Sequence, residues 1–165
     1  MDMRTGIRMI AAGLAIAGIG LVAGCGGSGD SSGTSSGAAA SDFVTQANGV
    51  CAAAYADFQA LGDMQSFTSV TDFKDRFGKA LALAKKQYAD IERLTPPAGI
   101  SKDVATYLNE GATSVATSQK LYREVASGTD LNQAVADTTD SAAGRANIKA
   151  RRAAAMAAGL GDCAS

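Results

Sequence analysis

The sequence predicts an all-α protein, namely a disulfide-stapled antiparallel four-helix bundle that follows a signal peptide and a flexible tether. Apolar residues recur at helical spacing in four segments, and no segment alternates strictly as a half-buried strand does. Hydrophobic residues are 47% of the 165-residue chain, yet aromatic residues are 5% and Trp is absent. Much of the apolar content is alanine, which favours helix and buries little area, so we expect a thin core of closely packed helices.

The N-terminus has the features of an export signal. Arg4 and Arg8 precede an uncharged run over residues 9–24, and this run is shorter than the 18 or more apolar residues expected of a spanning helix. The small residues Ala23 and Gly24 would admit a peptidase, and Cys25 follows them directly. Leu21 to Cys25 resembles the lipobox of bacterial lipoproteins, which implies that Cys25 receives a diacylglyceryl group and becomes the first mature residue. An ordinary signal peptide or an uncleaved anchor is the alternative.

Three regions follow from this interpretation: a lipoprotein signal peptide over 1–24, a lipidated cysteine with a flexible Gly/Ser linker over 25–41, and a helical domain over 42–165. The linker composition cannot bury enough surface to order itself. About 15 such residues have a mean reach on the order of 20 Å. We therefore expect a domain anchored through its lipid to the outer, extracytoplasmic face of the cell membrane.

Four helices are expected in the domain, and their predicted ranges are Asp42–Leu61, Asp72–Leu94, Lys102–Ala126 and Leu131–Ala158. Thr95-Pro96-Pro97 must end the second helix, because proline lacks a backbone donor and disfavours helix before it. Ser127-Gly128-Thr129 ends the third, and glycines at 159 and 161 end the fourth. Short connections between such helices predict an up-down-up-down arrangement.

The cysteines predict one bridge. With Cys25 assigned to lipid, Cys51 and Cys163 remain, and an even pair in an exported chain indicates a disulfide. Two free thiols acting as a redox or metal pair are the alternative. Cys51 lies about 14 Å into the predicted first helix, at 1.5 Å per residue. Either the tail over 160–163 turns back along that helix, or the helix begins later.

Charge and composition exclude several functions. The 15 basic and 16 acidic residues lose Arg4, Arg8 and Asp2 with the signal peptide, which leaves a net charge of −2 and no electrostatic reason to bind nucleic acid. The chain has no histidine, so His-dependent nucleophilic triads, imidazole zinc sites and Glu-x-x-His di-iron sites are excluded. We assign no catalytic residue, no metal site and no cofactor.

Three groups of side chains are weaker candidates. The acid pairs Asp72/Asp75 and Asp137/Asp140 could bind a hard cation, and the basic group Lys149, Arg151 and Arg152 could meet lipid phosphates or an acidic partner. Solvated helix faces explain both groups more simply. Four tyrosines on or beside the apolar stripes could line a groove for a small ligand or a partner helix, since each has a polar tip on an apolar body; they are Tyr55, Tyr88, Tyr107 and Tyr122. Packing at the edge of the core is the alternative for them.

The whole mature chain resembles a set of small actinobacterial lipoproteins. The shared features are the lipobox, the Gly/Ser tether, a cysteine in the first helix, the Leu-Thr-Pro-Pro turn at Leu94 to Pro97 and the terminal Gly-Leu-x-x-Cys at Gly159 to Cys163. The resemblance implies the fold and the membrane anchor and transfers no active site. We therefore expect a non-enzymatic, membrane-tethered module that binds an envelope protein. The alternative is a helical bundle that binds a small molecule or lipid, and a cavity between the helices would favour it.

Overall fold

A computed structural model describes residues 34–64 and 66–164, and the predicted signal peptide and Cys25 lie outside this range. The described residues form five α-helices and one short 3-10 helix, without any β-strand: α1 Thr34–Ala60, α2 Val70–Glu92, α3 Ser101–Ala126, α4 Leu131–Asp137, α5 Ala142–Ala157 and η1 Gly161–Cys163. The predicted all-α class is confirmed for this part of the chain.

The first helix begins earlier than predicted. Its first residue is Thr34, so the end of the predicted linker is helical. The alanines at 38–40 explain the extension, because alanine has the highest helix propensity and needs no partner to continue a helix. Residues 37–39 are exposed, and the first buried side chain is Phe43, 4% exposed. Packing of the domain therefore begins at the predicted boundary even though the helix begins before it.

The predicted fourth helix is wrong as a single element, since it is divided into α4 and α5 by a turn over residues 138–141. The Thr138 side chain donates to the Ala134 carbonyl at 2.5 Å, and Thr138 leaves helical geometry at φ −118° and ψ −87°. Ser141 then caps α5 by accepting from the backbone N–H of Gly144 at 3.0 Å. Short hydroxyl side chains compete for backbone groups in this way, and the competition ends one helix and starts the next.

The connection between α1 and α2 is organised by one arginine. Arg76 donates to the carbonyls of Leu61 and Ser66, both at 2.9 Å, and to the carbonyl of Asp63. Its guanidinium also lies over the ring of Phe67, 5.1 Å from the centroid. These contacts satisfy backbone acceptors that the loop itself leaves open, so a long side chain from α2 holds the loop against the domain.

The helices pack in chain order. α1 contacts α2, α2 contacts α3 and α3 contacts α5, whereas no Cα atom of α1 lies within 8 Å of one in α5. Gly111 lets α3 pack closely against α2, because an added Cβ there would lie 2.3 Å from the ring of Tyr88. α1 instead meets the chain end through η1. The backbones of α1 and α5 are therefore farther apart than those of the other neighbouring helices, although both helices contribute side chains to one buried cluster.

The predicted disulfide between Cys51 and Cys163 is present, with the two Cα atoms 5.1 Å apart. Of the two routes considered for it, the returning tail is the one observed. α5 ends in a Schellman motif, with Gly159 at φ +76° and the Leu160 N–H bonded to the Ala155 carbonyl at 2.8 Å. Asn48 of α1 then donates to the Gly159 carbonyl at 3.2 Å and accepts from the Asp162 N–H at 3.1 Å, which seats the tail along α1.

Candidate functional site

The core is divided into two clusters. The first surrounds the disulfide, and its buried members are Phe43, Ala47, Cys51, Ile91, Val104, Tyr107, Ala154, Ala155, Ala158, Leu160 and Cys163. The second has the buried members Phe73, Leu121, Val125 and Ala134. Phe73 and Ile91 lie near opposite ends of α2, and Tyr107 and Leu121 are similarly separated along α3. The middle of these helices therefore lies between the clusters and belongs to neither.

A cleft of about 290 Å³ occupies this middle region. Its lining is mainly apolar, with Phe77, Leu81 and Val115 half-buried at its walls and Phe58 of α1 at its side. On α5 the residues that face it are Gly144, Asn147, Ile148 and Arg151. The space between the helices remains unfilled because the turns of α5 that face it carry few large apolar side chains.

Arg151 is the single charged residue in the lining of this cleft. Its Nη1 donates to the Tyr88 hydroxyl at 3.2 Å, which joins α5 to α2 across the cleft. Its Nε is buried without a hydrogen-bond acceptor, and its side chain forms no ion pair within 4 Å among the described residues. A buried donor without an acceptor costs roughly 1–3 kcal/mol, and more when the group is charged.

Asn147 fixes the position of α5 relative to α3. Its amide donates to the Glu110 carbonyl at 3.0 Å and to the Glu110 carboxylate at 2.6 Å, and its oxygen accepts from Ser114 at 2.6 Å. Because these bonds hold α5 one turn before Arg151, they also fix the place from which the guanidinium extends. These hydrogen bonds therefore stabilise the wall of the cleft that α5 forms.

A second cleft, of about 320 Å³, lies beside the disulfide. It shares Phe58, Ala84, Tyr88 and Arg151 with the first cleft, so the Arg151–Tyr88 pair lies where the two spaces meet. Gln87 points its amide at the Cys51 sulfur, 3.1 Å away. The disulfide thus forms part of the wall of this second space.

Two further surface depressions are weaker candidates for a binding site than the two clefts. The larger, about 460 Å³, lies between α1 and α2 and includes Lys86 and Asp90, which already form an ion pair at 2.6 Å. This contact with Lys86 lowers the pKa of Asp90. The other is between α2 and α3 and contains Lys85 and Glu92 at its exposed edge. Neither depression presents a buried polar group that lacks a partner.

The structure does not bring the four predicted tyrosines into one groove. Tyr88 and Tyr107 are neighbours with ring centroids 5.6 Å apart, but Tyr107 is fully buried in the first cluster. Burial raises the pKa of the Tyr107 phenol well above its usual value, so it stays neutral. Tyr122 packs with Phe73 in the second cluster, and Tyr55 is 53% exposed at the edge of the second cleft. Of the four, Tyr88 alone lines the central cleft.

Three of the four acids in the predicted pairs are bound to neighbours close in sequence. Asp72 accepts from the backbone N–H of Thr68, and this bond lowers the pKa of the carboxyl with help from Arg76. Asp75 pairs with Lys79 on an exposed face, and Asp137 accepts from Gln133. No group of three potential metal ligands occurs in the described part of the chain.

The predicted basic group is divided by the helix. Lys149 and Arg152 are exposed, whereas Arg151 turns inward to the cleft. A signal for this was available in the spacing, since positions 144, 148, 151 and 155 share one face of a helix. Gly144, Ile148 and Ala155 on that face are small or apolar, so the sequence alone could have placed Arg151 on the inward face of the helix.

Comparison of the chain with protein-family models, with curated proteins and with solved structures finds no significant match. Among the described helices, none has the length and hydropathy needed to cross a membrane. The assignment of a function therefore depends on the geometry of the cleft and on the sequence of the N-terminus.

Proposed function

We propose that this protein is a non-catalytic binding module, held at the outer face of the cell membrane by a lipid on Cys25, and that it binds a small, largely apolar molecule. The observation that carries the proposal is the apolar cleft of about 290 Å³ between the two core clusters. Small-molecule sites are typically concave, mainly apolar and lined by a few polar groups, and their volume is about 300–1,000 Å³. The cleft is just below the lower limit of that range.

The proposed architecture explains why such a cleft exists. We propose that α1, α2, α3 and the α4–α5 pair form an antiparallel four-helix arrangement whose fourth side remains open. Support comes from the order of helix contacts, since the backbone of α1 lies close to α2 and η1 but not to α5. A fully closed bundle would fill its middle layer with side chains, whereas here the middle layer borders the cleft.

The anchor gives the first test. Replacing Cys25 by serine removes the thiol that the proposed lipid requires, so the variant should leave the membrane fraction or accumulate as an unprocessed precursor. Acyl chains bind a bilayer with about 0.8 kcal/mol per buried methylene, and the linker has no other apolar segment to replace them. The measurement is fractionation with N-terminal mass analysis. A Cys25→Ser protein that fractionates as wild type, with the same N-terminus, would refute the anchor.

The cleft gives the second test, with n-decanol as an uncharged apolar probe. The mature chain carrying Cys25→Ser is the suitable protein, because it needs no detergent that would compete for the cleft. Decanol should shift the NMR resonances of residues that line the cleft, such as Leu81, Val115 and Ile148. Ala84→Phe, which adds a ring to the wall of both clefts, should weaken these shifts at least several-fold.

The matched control is Ala82→Phe, since Ala82 is on the same helix but exposed and lines neither cleft. If Ala84→Phe does not fold, Ser118→Leu provides a second obstruction on α3, because Ser118 is half-buried in the same lining. An absence of shifts in the parent chain, or equal shifts in the obstructed and control variants, would remove the small-molecule proposal. We would then expect the module to bind an envelope protein instead.

A further inference from the structure

We infer that the ligand of the central cleft is an anionic amphiphile, a medium-chain carboxylate whose acidic group binds Arg151 and whose chain lies between the apolar walls. This inference rests on the proposed function and specifies its ligand class. It starts from a buried donor that the protein itself leaves without an acceptor. Arg151 lines the cleft, and its Nε has no acceptor in the described structure.

A guanidinium is a cation, so the part of it that is buried needs an anion or neutral acceptors as partners. The protein supplies one neutral partner, the Tyr88 hydroxyl, on Nη1. An acidic group brought by a ligand would satisfy the edge of the guanidinium that carries Nε.

The composition of the lining limits the charge of the ligand to one. The remaining polar groups of the cleft are the neutral side chains Tyr88, Ser114, Thr117, Ser118, Thr139 and Asn147. With neither a lysine nor a second arginine present, a dianionic phosphate monoester would keep an uncompensated charge. A carboxylate matches a single guanidinium, since its two oxygens can accept two parallel N–H bonds from one edge.

The rest of the lining determines the body of the ligand. Phe77, Leu81, Val115 and Ile148 surround the space with hydrocarbon, and Phe58 closes it on the side of α1. About 290 Å³ corresponds to the liquid volume of roughly ten water molecules, at about 30 Å³ each. A ligand of about ten non-hydrogen atoms fits that space, which favours a medium-chain acid over a two-chain phospholipid.

The test compares three probes that share one alkyl chain: sodium decanoate, n-decanol and decyl phosphate, each titrated into the Cys25→Ser mature chain by calorimetry below its micelle concentration. Decanoate should bind at least tenfold more tightly than decanol, because a hydrogen bond to a charged group contributes about that factor or more. Raising the salt concentration should weaken decanoate binding and leave decanol binding unchanged.

Arg151→Gln should remove the preference for decanoate while decanol still binds. Arg152→Gln is the matched control, because this neighbouring arginine is exposed and outside the cleft, and it should bind both probes as the parent does. If Arg151→Gln fails to fold, Arg151→Lys keeps the charge but not the planar edge, and it should retain only part of the preference.

Each outcome separates the inference from the proposed function. If decanol and decanoate bind equally and salt has no effect, the cleft binds apolar molecules but Arg151 does not recognise an anion, and the inference is wrong. If decyl phosphate binds more tightly than decanoate, the head group is a phosphate and the carboxylate assignment is overturned. If none of the three probes binds, the proposed function fails together with the inference.

Discussion

Replacing both Cys51 and Cys163 by alanine should lower the free energy of unfolding by about 2–5 kcal/mol, the usual cost of losing a native bridge from a small secreted domain. The two cysteines are 112 residues apart in sequence. In the chain-entropy description, a closed loop of about 100 residues restricts the unfolded chain by roughly 4.7 kcal/mol. Guanidinium unfolding of the Cys25→Ser mature chain, followed by circular dichroism, measures the change.

The structural reason for so large an effect is the position of the bridge. It joins the middle of the domain's first helix to η1, and it is the single covalent link between these two elements in the described structure. Without it, only the Asn48 hydrogen bonds and the packing of Leu160 would hold the tail along α1. We expect the tail to separate first, and the second cleft to open with it.

Reduced wild type is the control, because it keeps the two buried sulfur atoms but not the bond. If the reduced protein and the alanine pair lose similar stability, the covalent link is the cause; a much greater loss in the alanine pair would assign the effect to sulfur packing. An alanine pair as stable as oxidised wild type, or alkylation of both thiols in protein unfolded without reductant, would refute the stabilising bridge.

Gly144→Ala should destabilise the domain by about 1–3 kcal/mol, although alanine is the better helix former. An added Cβ at this position would lie 2.4 Å from the Thr138 carbonyl oxygen and 2.5 Å from that of Thr139. The obstacle is backbone, so the turn between α4 and α5 would have to open. The Ser141 cap, which accepts from the Gly144 N–H, would be disturbed by the same movement.

Gly49→Ala is the matched control for this prediction. Gly49 is in α1, it is exposed, and an added Cβ there would meet nothing within 4 Å. This change should therefore stabilise the domain by about 0.5–1 kcal/mol through the helix propensity of alanine alone. Chemical denaturation of the two variants beside the parent protein should give shifts of opposite sign. A stabilised Gly144→Ala protein would show that the turn has another arrangement.

Gly144→Ala also has a consequence for the cleft. Asn147 and Arg151 follow Gly144 on the same face of α5, so displacement of the helix start would move the groups that line the binding space. Decanol binding should weaken together with stability in this variant, whereas Gly49→Ala should bind decanol as the parent does.

The positions of α2 and α3 and the disulfide pairing could be predicted from sequence. The predictions for the second and third helices, Asp72–Leu94 and Lys102–Ala126, differ from α2 and α3 by at most two residues at either end. Helix formation depends on the propensities of the residues in a segment and on nearby capping groups and prolines. All of these can be read directly from the sequence. The pairing followed by elimination, since assigning Cys25 to lipid leaves only two cysteines.

The course of the predicted fourth helix was the first point at which local reasoning failed. Its apolar spacing continues across the turn at residues 138–141, so periodicity alone predicts one helix. The hydrogen bonds of Thr138 and Ser141 to neighbouring backbone decide otherwise. The buried position of Gly144 against the Thr138 carbonyl then makes the turn part of the packed structure.

The sequence by itself determined the positions of α2 and α3 and which cysteines are paired, and the proposed membrane anchor rests on it alone. Tertiary structure decided that Arg151 faces inward while Arg152 faces solvent, that the predicted tyrosines are dispersed, and that a cleft separates two core clusters. The physical reason is the sequence separation over which each effect acts. Propensity and capping act between residues a few positions apart. A cavity depends on how well side chains from helices distant in sequence fill the space between them. No local sequence pattern predicts that packing.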